Sequence, residues 1–192
     1  MADKVLFVGS SHVNRLKSFM EQRGFMDFNF HPPIDCHLFG ISGGRLELSS
    51  HVRRVEMEIS ARKPTALIIH IGGNDLDKRD ATEDCCHTLC YKLVSLCSML
   101  MQRYNLNRTT ILQLMPRTRT RRVSIRVYND LVLAFNRELK QAVMDHPRID
   151  YWTISGMKKS KKPIYDDGVH FNNIGLFKYY KNVRGAILNS VK

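Results

Sequence analysis

No stretch of the 192-residue chain approaches the roughly 20 consecutive apolar residues that a bilayer span requires. A membrane-crossing helix is therefore excluded. The opening Met1-Ala2-Asp3-Lys4 runs directly into the apolar Val5-Leu6-Phe7-Val8 and lacks the basic, apolar and cleavage-site succession of a signal peptide, so a soluble chain without a processed leader is expected. Internal repeats, low-complexity tracts and linker-like segments are missing too. One domain over residues 1–192 follows, large enough to bury a core without metals or disulfides as staples. The composition, 43% hydrophobic and 25% charged, is ordinary for a globular chain and excludes wholesale disorder.

Cysteines are few and odd in number, five in all, which leaves no simple disulfide framework. Cys85, Cys86, Cys90 and Cys97 share one helical stretch; Cys86, Cys90 and Cys97 recur at whole turns among Leu89, Leu93, Leu96 and Leu100. That spacing describes a buried helix stripe. A metal site using His87 is the alternative, but ligands normally come from more than one element, so neither a metal nor an organic cofactor is expected. Free thiols fit a reducing, cytoplasmic compartment.

Acidic residues are also scarce, 18 against 30 Lys+Arg, for a net charge of +12. The excess is uneven. Arg117, Arg119, Arg121, Arg122 and Arg126 follow Met115-Pro116, and Lys158, Lys159, Lys161 and Lys162 precede the last conspicuous motif. Such runs are either solvated loops or a binding surface for a phosphate-rich partner, RNA or an anionic membrane face.

Apolar runs alternate with longer helical-period segments along the whole chain. The pattern predicts strands near residues 4–8, 35–39, 66–71, 110–115 and 149–152, and helices near 12–23, 48–62, 82–104, 125–145 and 173–190. Short strands alternating with helices predict βαβ units: a three-layer α/β/α sandwich around about five parallel strands.

Four motifs fall where those strands should end: Gly9-Ser10-Ser11-His12, Gly40-Ile41-Ser42-Gly43-Gly44, Gly72-Gly73-Asn74-Asp75 and Asp167-Gly168-Val169-His170. Loops at the carboxyl ends of parallel strands are where ligands collect. Singly, each has a plain structural explanation: a helix N-cap for Ser10 or Ser11, tight turns for the glycines, an Asx-turn for Asn74, a solvated loop for His170. Together they supply a nucleophile in Ser11, N–H donors at Ser11 and Gly43, an amide at Asn74, and a carboxylate and imidazole in Asp167 and His170, the groups that acyl transfer needs.

This set resembles the SGNH, or GDSL-type, hydrolase family over essentially the whole chain. The resemblance implies a flavodoxin-like sandwich and a serine esterase, with Ser11 as nucleophile, His170 as general base held by Asp167, and Ser11, Gly43 and Asn74 forming the oxyanion hole. The family usually carries Asp before its serine, where this chain has Ser10. Val8-Gly9-Ser10-Ser11-His12-Val13, Gly40-Ile41-Ser42-Gly43-Gly44-Arg45-Leu46 and Met115-Pro116-Arg117 before Tyr128-Asn129 are further similar to esterase domains in the first-open-reading-frame proteins of vertebrate LINE-type, non-LTR retrotransposons. That likeness implies RNA association, ribonucleoprotein particles and self-association through parts outside this chain. Short-chain or acetyl esters are the expected substrates.

Two rivals stand beside this reading. Gly40-x-Ser42-x-Gly44 matches the nucleophile elbow of α/β-hydrolases, but that fold needs several strands before its elbow and this chain has too few. The other rival is a module that keeps the fold and binds nucleic acid or anionic membrane without turnover. It gives no reason for Asp167 and His170 to be paired.

Overall fold

The computed structural model describes residues 3–157 and 164–192, and of Met26 and Asp27 the backbone only. Five strands, β1 (Lys4–Gly9), β2 (Asp35–Gly40), β3 (Ala66–His70), β4 (Arg108–Leu112) and β5 (Ile149–Trp152), form one parallel sheet in the order β2-β1-β3-β4-β5. The helices are α1 (Ser11–Arg23), α2 (Ser49–Arg62), the four-residue α3 (Gly73–Leu76), α4 (Glu83–Tyr104), α5 (Ile125–Ala142) and α6 (Asn173–Ser190).

Strand side chains alternate between faces, so β1 sends Val5 and Phe7 to one core and Leu6 and Val8 to the other. The first core packs α1 and α6 through Leu16, Tyr179 and Val183. The second packs α2, α4 and α5 through Ile59, Leu93 and Phe135. Fully burying each such side chain contributes about 1.5–3 kcal/mol, so the two cores clamp the sheet rigidly between them. The three-layer sandwich predicted from the alternation is the one observed. The cysteine stripe is also observed, with Cys86, Cys90 and Cys97 buried.

Boundaries differ where long-range pairing overrides local pattern. The fourth strand runs Arg108–Leu112 rather than 110–115: Gln113 N–H still bonds the Trp152 carbonyl at 2.9 Å, but the Leu114 N–H and C=O are both met by the Asn136 side-chain amide, at 2.9 and 2.9 Å. A side chain there replaces the ladder. The helix expected over 125–145 tightens after Ala142 into a 3₁₀ turn, Val143–Asp145. Another 3₁₀ turn, Met26–Asn29, and α3 were too short to leave a periodic signal.

β1 pairs with β2 on one side and β3 on the other, and the chain leaves it in opposite directions on the two sides. The crevice at that switch point, beyond the carboxyl ends of β1 and β3, is where an open α/β sheet places a ligand.

Candidate active site

Ser11 is the first residue of α1, directly after the turn that leaves β1. Ser10 occupies the N-cap without any side-chain cap bond. The turn is held by backbone instead: Ser10 N–H donates to the His70 carbonyl at 3.3 Å and the Ser10 carbonyl accepts from Val13 N–H at 3.0 Å. No acid is needed before Ser11 to shape it.

The Ser11 hydroxyl lies 2.9 Å from His170 Nε2, and His170 Nδ1 lies 2.7 Å from Asp167 Oδ2. A carboxylate only accepts, so the Nδ1 proton points to Asp167 and Nε2 is left to accept from the serine. Asp167 Oδ1 also accepts the N–H groups of Val169 at 2.9 Å and His170 at 2.7 Å. Desolvation acts to raise the Asp167 pKa, but the imidazole bond and the two N–H bonds outweigh it and hold the carboxyl well below the usual carboxylate range. Asp167 is therefore an anion wherever the protein is folded near neutrality.

The loop carrying this pair is pinned from both sides. The Gly168 carbonyl accepts from Thr118 N–H at 2.9 Å and Arg119 N–H at 3.1 Å, the Tyr165 hydroxyl donates to the Pro116 carbonyl, and the Asn172 side chain caps α6 through Ile174 and Gly175 N–H. Gly168 has φ +84°, and a Cβ there would stand 2.6 Å from the Arg119 Cβ. Only glycine lets the two loops touch.

Gly43 and Asn74 face the same cleft as Ser11 and His170. Gly43 has φ +68° with open space where a Cβ would project, so its backbone is accessible to a ligand. Asn74 is oriented by its neighbours: Arg117 Nη2 donates to Oδ1 at 2.9 Å, and Nδ2 donates to the Gly44 carbonyl at 3.1 Å. Because a guanidinium only donates, the amide orientation is settled, and one Nδ2–H remains for the cleft. Asp75 ties the two loops together, its carboxylate accepting Leu46 N–H at 3.1 Å and Glu47 N–H at 3.0 Å. Burial raises the Asp75 pKa against those two bonds.

Arg117 departs from the expectation that grouped it with the basic surface. It is 7% exposed, ion-paired to the buried Asp77 at 3.2 Å and stacked on Tyr128 at 4.8 Å. It is an internal strut for Asn74. Sequence reading missed it because the cue is the distant Asp77, not the neighbouring arginines. Arg119, Arg121, Arg122 and Arg126 are exposed as expected, while Lys158, Lys159, Lys161 and Lys162 lie outside the described residues. Ser42 lines the cleft, but no hydrogen bond joins it to His170 among the described residues.

With this geometry in place, comparison with known proteins is direct. Residues 12–175 match the model of the GDSL-like lipase/acylhydrolase family. The chain belongs to that family. The match opens one residue past Ser11 and takes in Gly43, Asn74, Asp167 and His170. Among solved structures, a GDSL-like lipase from Bacteroides thetaiotaomicron VPI-5482 superposes with TM-score 0.70 at 17% identity, covering 98% of this chain and 89% of that one. The psychrotrophic esterase EstA from Pseudoalteromonas sp., in a structure inhibited by monoethylphosphonate, gives TM-score 0.65 at 15% identity over 98% of each chain. An acetyl xylan esterase, AlAXEase, gives 0.61 at 16% identity, covering 96% of this chain and 99% of that one. A sequence comparison with curated proteins finds no match. Among the described residues, no helix is long and apolar enough to cross a membrane.

Beneath His170 lie two further imidazoles, His12 with its ring centroid 5.6 Å away and His70 stacked on His12 at 5.8 Å. Burial pushes His12 well below its ordinary value, helped by the nearby His70 and His170; burial likewise pushes His70 down to about 4, against a hydrogen bond that its ring donates to the Gln113 backbone. Both are neutral in the fold, whereas in the unfolded chain they take up protons near pH 6.5. Stability contributed by that neutrality is fully present above about pH 6.5 and falls as the unfolded state gains protons below it. From pH 7 to pH 5 His70 alone is expected to cost about 2 kcal/mol, read as a lower urea midpoint. A midpoint unchanged over that range would contradict neutral burial.

Proposed function

We propose that this protein is a serine carboxylic-ester hydrolase acting on small acyl, acetyl-sized esters. The observation that carries the proposal is the continuous hydrogen-bonded chain Asp167–His170–Ser11, opening on a cleft that also holds Gly43 and the oriented Asn74 amide. Ser11 Oγ attacks the ester carbonyl carbon while His170 Nε2 takes the hydroxyl proton, and Asp167 keeps the imidazole in the required tautomer and stabilises it as a cation. The neutral His12 and His70 place no second positive charge beside that imidazolium. The carbonyl oxygen, now an anion, receives the N–H groups of Ser11 and Gly43 and the free Asn74 Nδ2–H. The first of these sits in the opening turn of α1, where N–H groups lack partners within the helix. His170 then protonates the departing alkoxide. Water repeats the attack on the acyl-serine with His170 as base, releasing the acid and restoring Ser11.

Size and lining favour a short acyl group. The cleft is about 410 Å³, and Val169 is the one aliphatic side chain among the residues that line it. A long fatty chain would meet arginine and asparagine. The family membership and the esterases among the similar folds support the reaction class. The experiment is hydrolysis of p-nitrophenyl acetate by the purified chain, with and without a chelator. Turnover unaffected by the chelator is expected, since base, orienter and oxyanion donors are all protein groups; loss on chelation, restored by added metal, would point to a metallohydrolase.

A second reading adds to the first. Exposure of Arg119, Arg121, Arg122 and Arg126 suits a polyanionic partner, and the resemblance to retrotransposon esterase domains would make it RNA within a cytoplasmic ribonucleoprotein. Its mark is retention on RNA that falls steeply with salt.

A further inference from the structure

The charge inside the cleft is more informative than the charge around it. Arg15, Arg45, Arg121 and Arg122 line it, with Arg117 at its wall. Among the described residues no carboxylate lies within ion-pair distance of the first four, although Arg117 and, elsewhere, Arg62, Arg103, Arg108 and Arg126 each have one. Asp77 is the cleft's own carboxylate, and its oxygens are occupied: Oδ2 accepts from Arg117 Nη1 at 3.2 Å and Arg121 N–H at 3.1 Å, and Oδ1 from Arg121 N–H at 3.2 Å and Arg122 N–H at 3.0 Å. It neutralises Arg117 and shapes the loop, leaving the four other guanidinium groups without an ion-pair partner among the described residues.

Guanidinium groups stay charged at any working pH, and four gathered at one concavity give it a positive potential that attracts an anion. Their planar donor forks match phosphoryl oxygens two at a time, which ammonium groups do not. The volume is that of a small-ligand site. We propose that the substrate is a small carboxylic ester carrying a phosphoryl group, which Arg15, Arg45, Arg121 and Arg122 hold while the ester carbonyl lies at Ser11. This rests on the esterase reading and names its substrate class. The arginines come from α1, which carries Ser11, from the loop after β2, which carries Gly43, and from the loop after β4, whose Arg117 holds Asn74.

The test compares two acetyl esters of similar size and leaving group, 4-acetoxyphenyl phosphate and 4-acetoxyanisole, at low ionic strength. The expected result is a kcat/KM at least about tenfold higher for the phosphate, eroded by salt, with each of Arg15→Gln and Arg121→Gln lowering that preference about tenfold through KM. Arg148→Gln, just before β5 at the opposite edge of the sheet, should keep the preference. A second measurement does not need turnover: the Ser11→Ala variant should bind phenyl phosphate by calorimetry, and lose it on adding Arg121→Gln. Hydrolysis of both esters at equal kcat/KM, or absence of phenyl phosphate binding, would overturn the inference while leaving the esterase intact. Binding of phenyl phosphate without hydrolysis of either ester would sink the esterase and keep the phosphoryl site. Binding of an RNA oligonucleotide in the cleft with no binding of phenyl phosphate would assign the arginines to nucleic acid instead.

Discussion

Ser11→Ala is expected to reduce kcat on p-nitrophenyl acetate by on the order of 10⁴ to 10⁶, the cost of removing a nucleophile from a Ser-His-Asp system. Ser42→Ala should keep most of the wild-type rate. The two serines line the same cleft, yet only Ser11 lies 2.9 Å from His170 Nε2. A hydroxyl without a base beside it remains protonated and weakly nucleophilic near neutral pH. The contrast also separates the two nucleophile motifs that the sequence offers. An activated phosphonate, whose leaving group the serine oxygen displaces at phosphorus, should phosphonylate Ser11 stoichiometrically in mass spectra and leave Ser42 unmodified. Full activity in Ser11→Ala would remove the assignment outright.

Asn74→Ala should lower kcat by roughly 10² to 10³ with little change in KM, because one donor is lost at an oxygen that becomes anionic only in the transition state. Arg117→Met should act through the same amide, since Arg117 Nη2 is what holds Asn74 Oδ1 at 2.9 Å. In an Asn74→Ala background the kcat effect of Arg117→Met should therefore largely disappear. Its effect on folding should not: removing Arg117 leaves Asp77 buried without its cation, a change that typically costs about 3–5 kcal/mol. Equal loss of kcat in both backgrounds would make Arg117 a stability residue only. A pure KM effect of Asn74→Ala would make Asn74 a substrate-binding or turn residue.

Strand placement was legible because each strand is a run of apolar residues bounded by turn residues, and both faces of the sheet are covered. Val5 to Val8 and Ala66 to Ile69 are buried on both sides, so continuous hydrophobicity was itself the signal. The fourth strand was carried three residues past its observed end because Leu114 and Met115 are as apolar as a strand, yet the Leu114 backbone is satisfied by the Asn136 side chain. Apolar content cannot reveal which partner a backbone amide finds.

The sequence by itself determined the alternation of strands and helices, the presence of Ser11, Gly43 and Asn74 just beyond strand ends, and that of Asp167 and His170 ahead of the last helix, because these follow from local periodicity and turn chemistry. Tertiary structure decided which arginines are surface and which are not. Arg117 and Arg119 are two residues apart in one basic run, yet Arg117 is drawn inside by Asp77, 40 residues earlier, and by the Tyr128 ring, while Arg119 remains in solvent. Arg15 and Arg45 belong to no basic run and become cleft residues only when α1 and the loop after β2 meet. Charge along a chain is local, but whether a charge is paired depends on which distant segment folds against it.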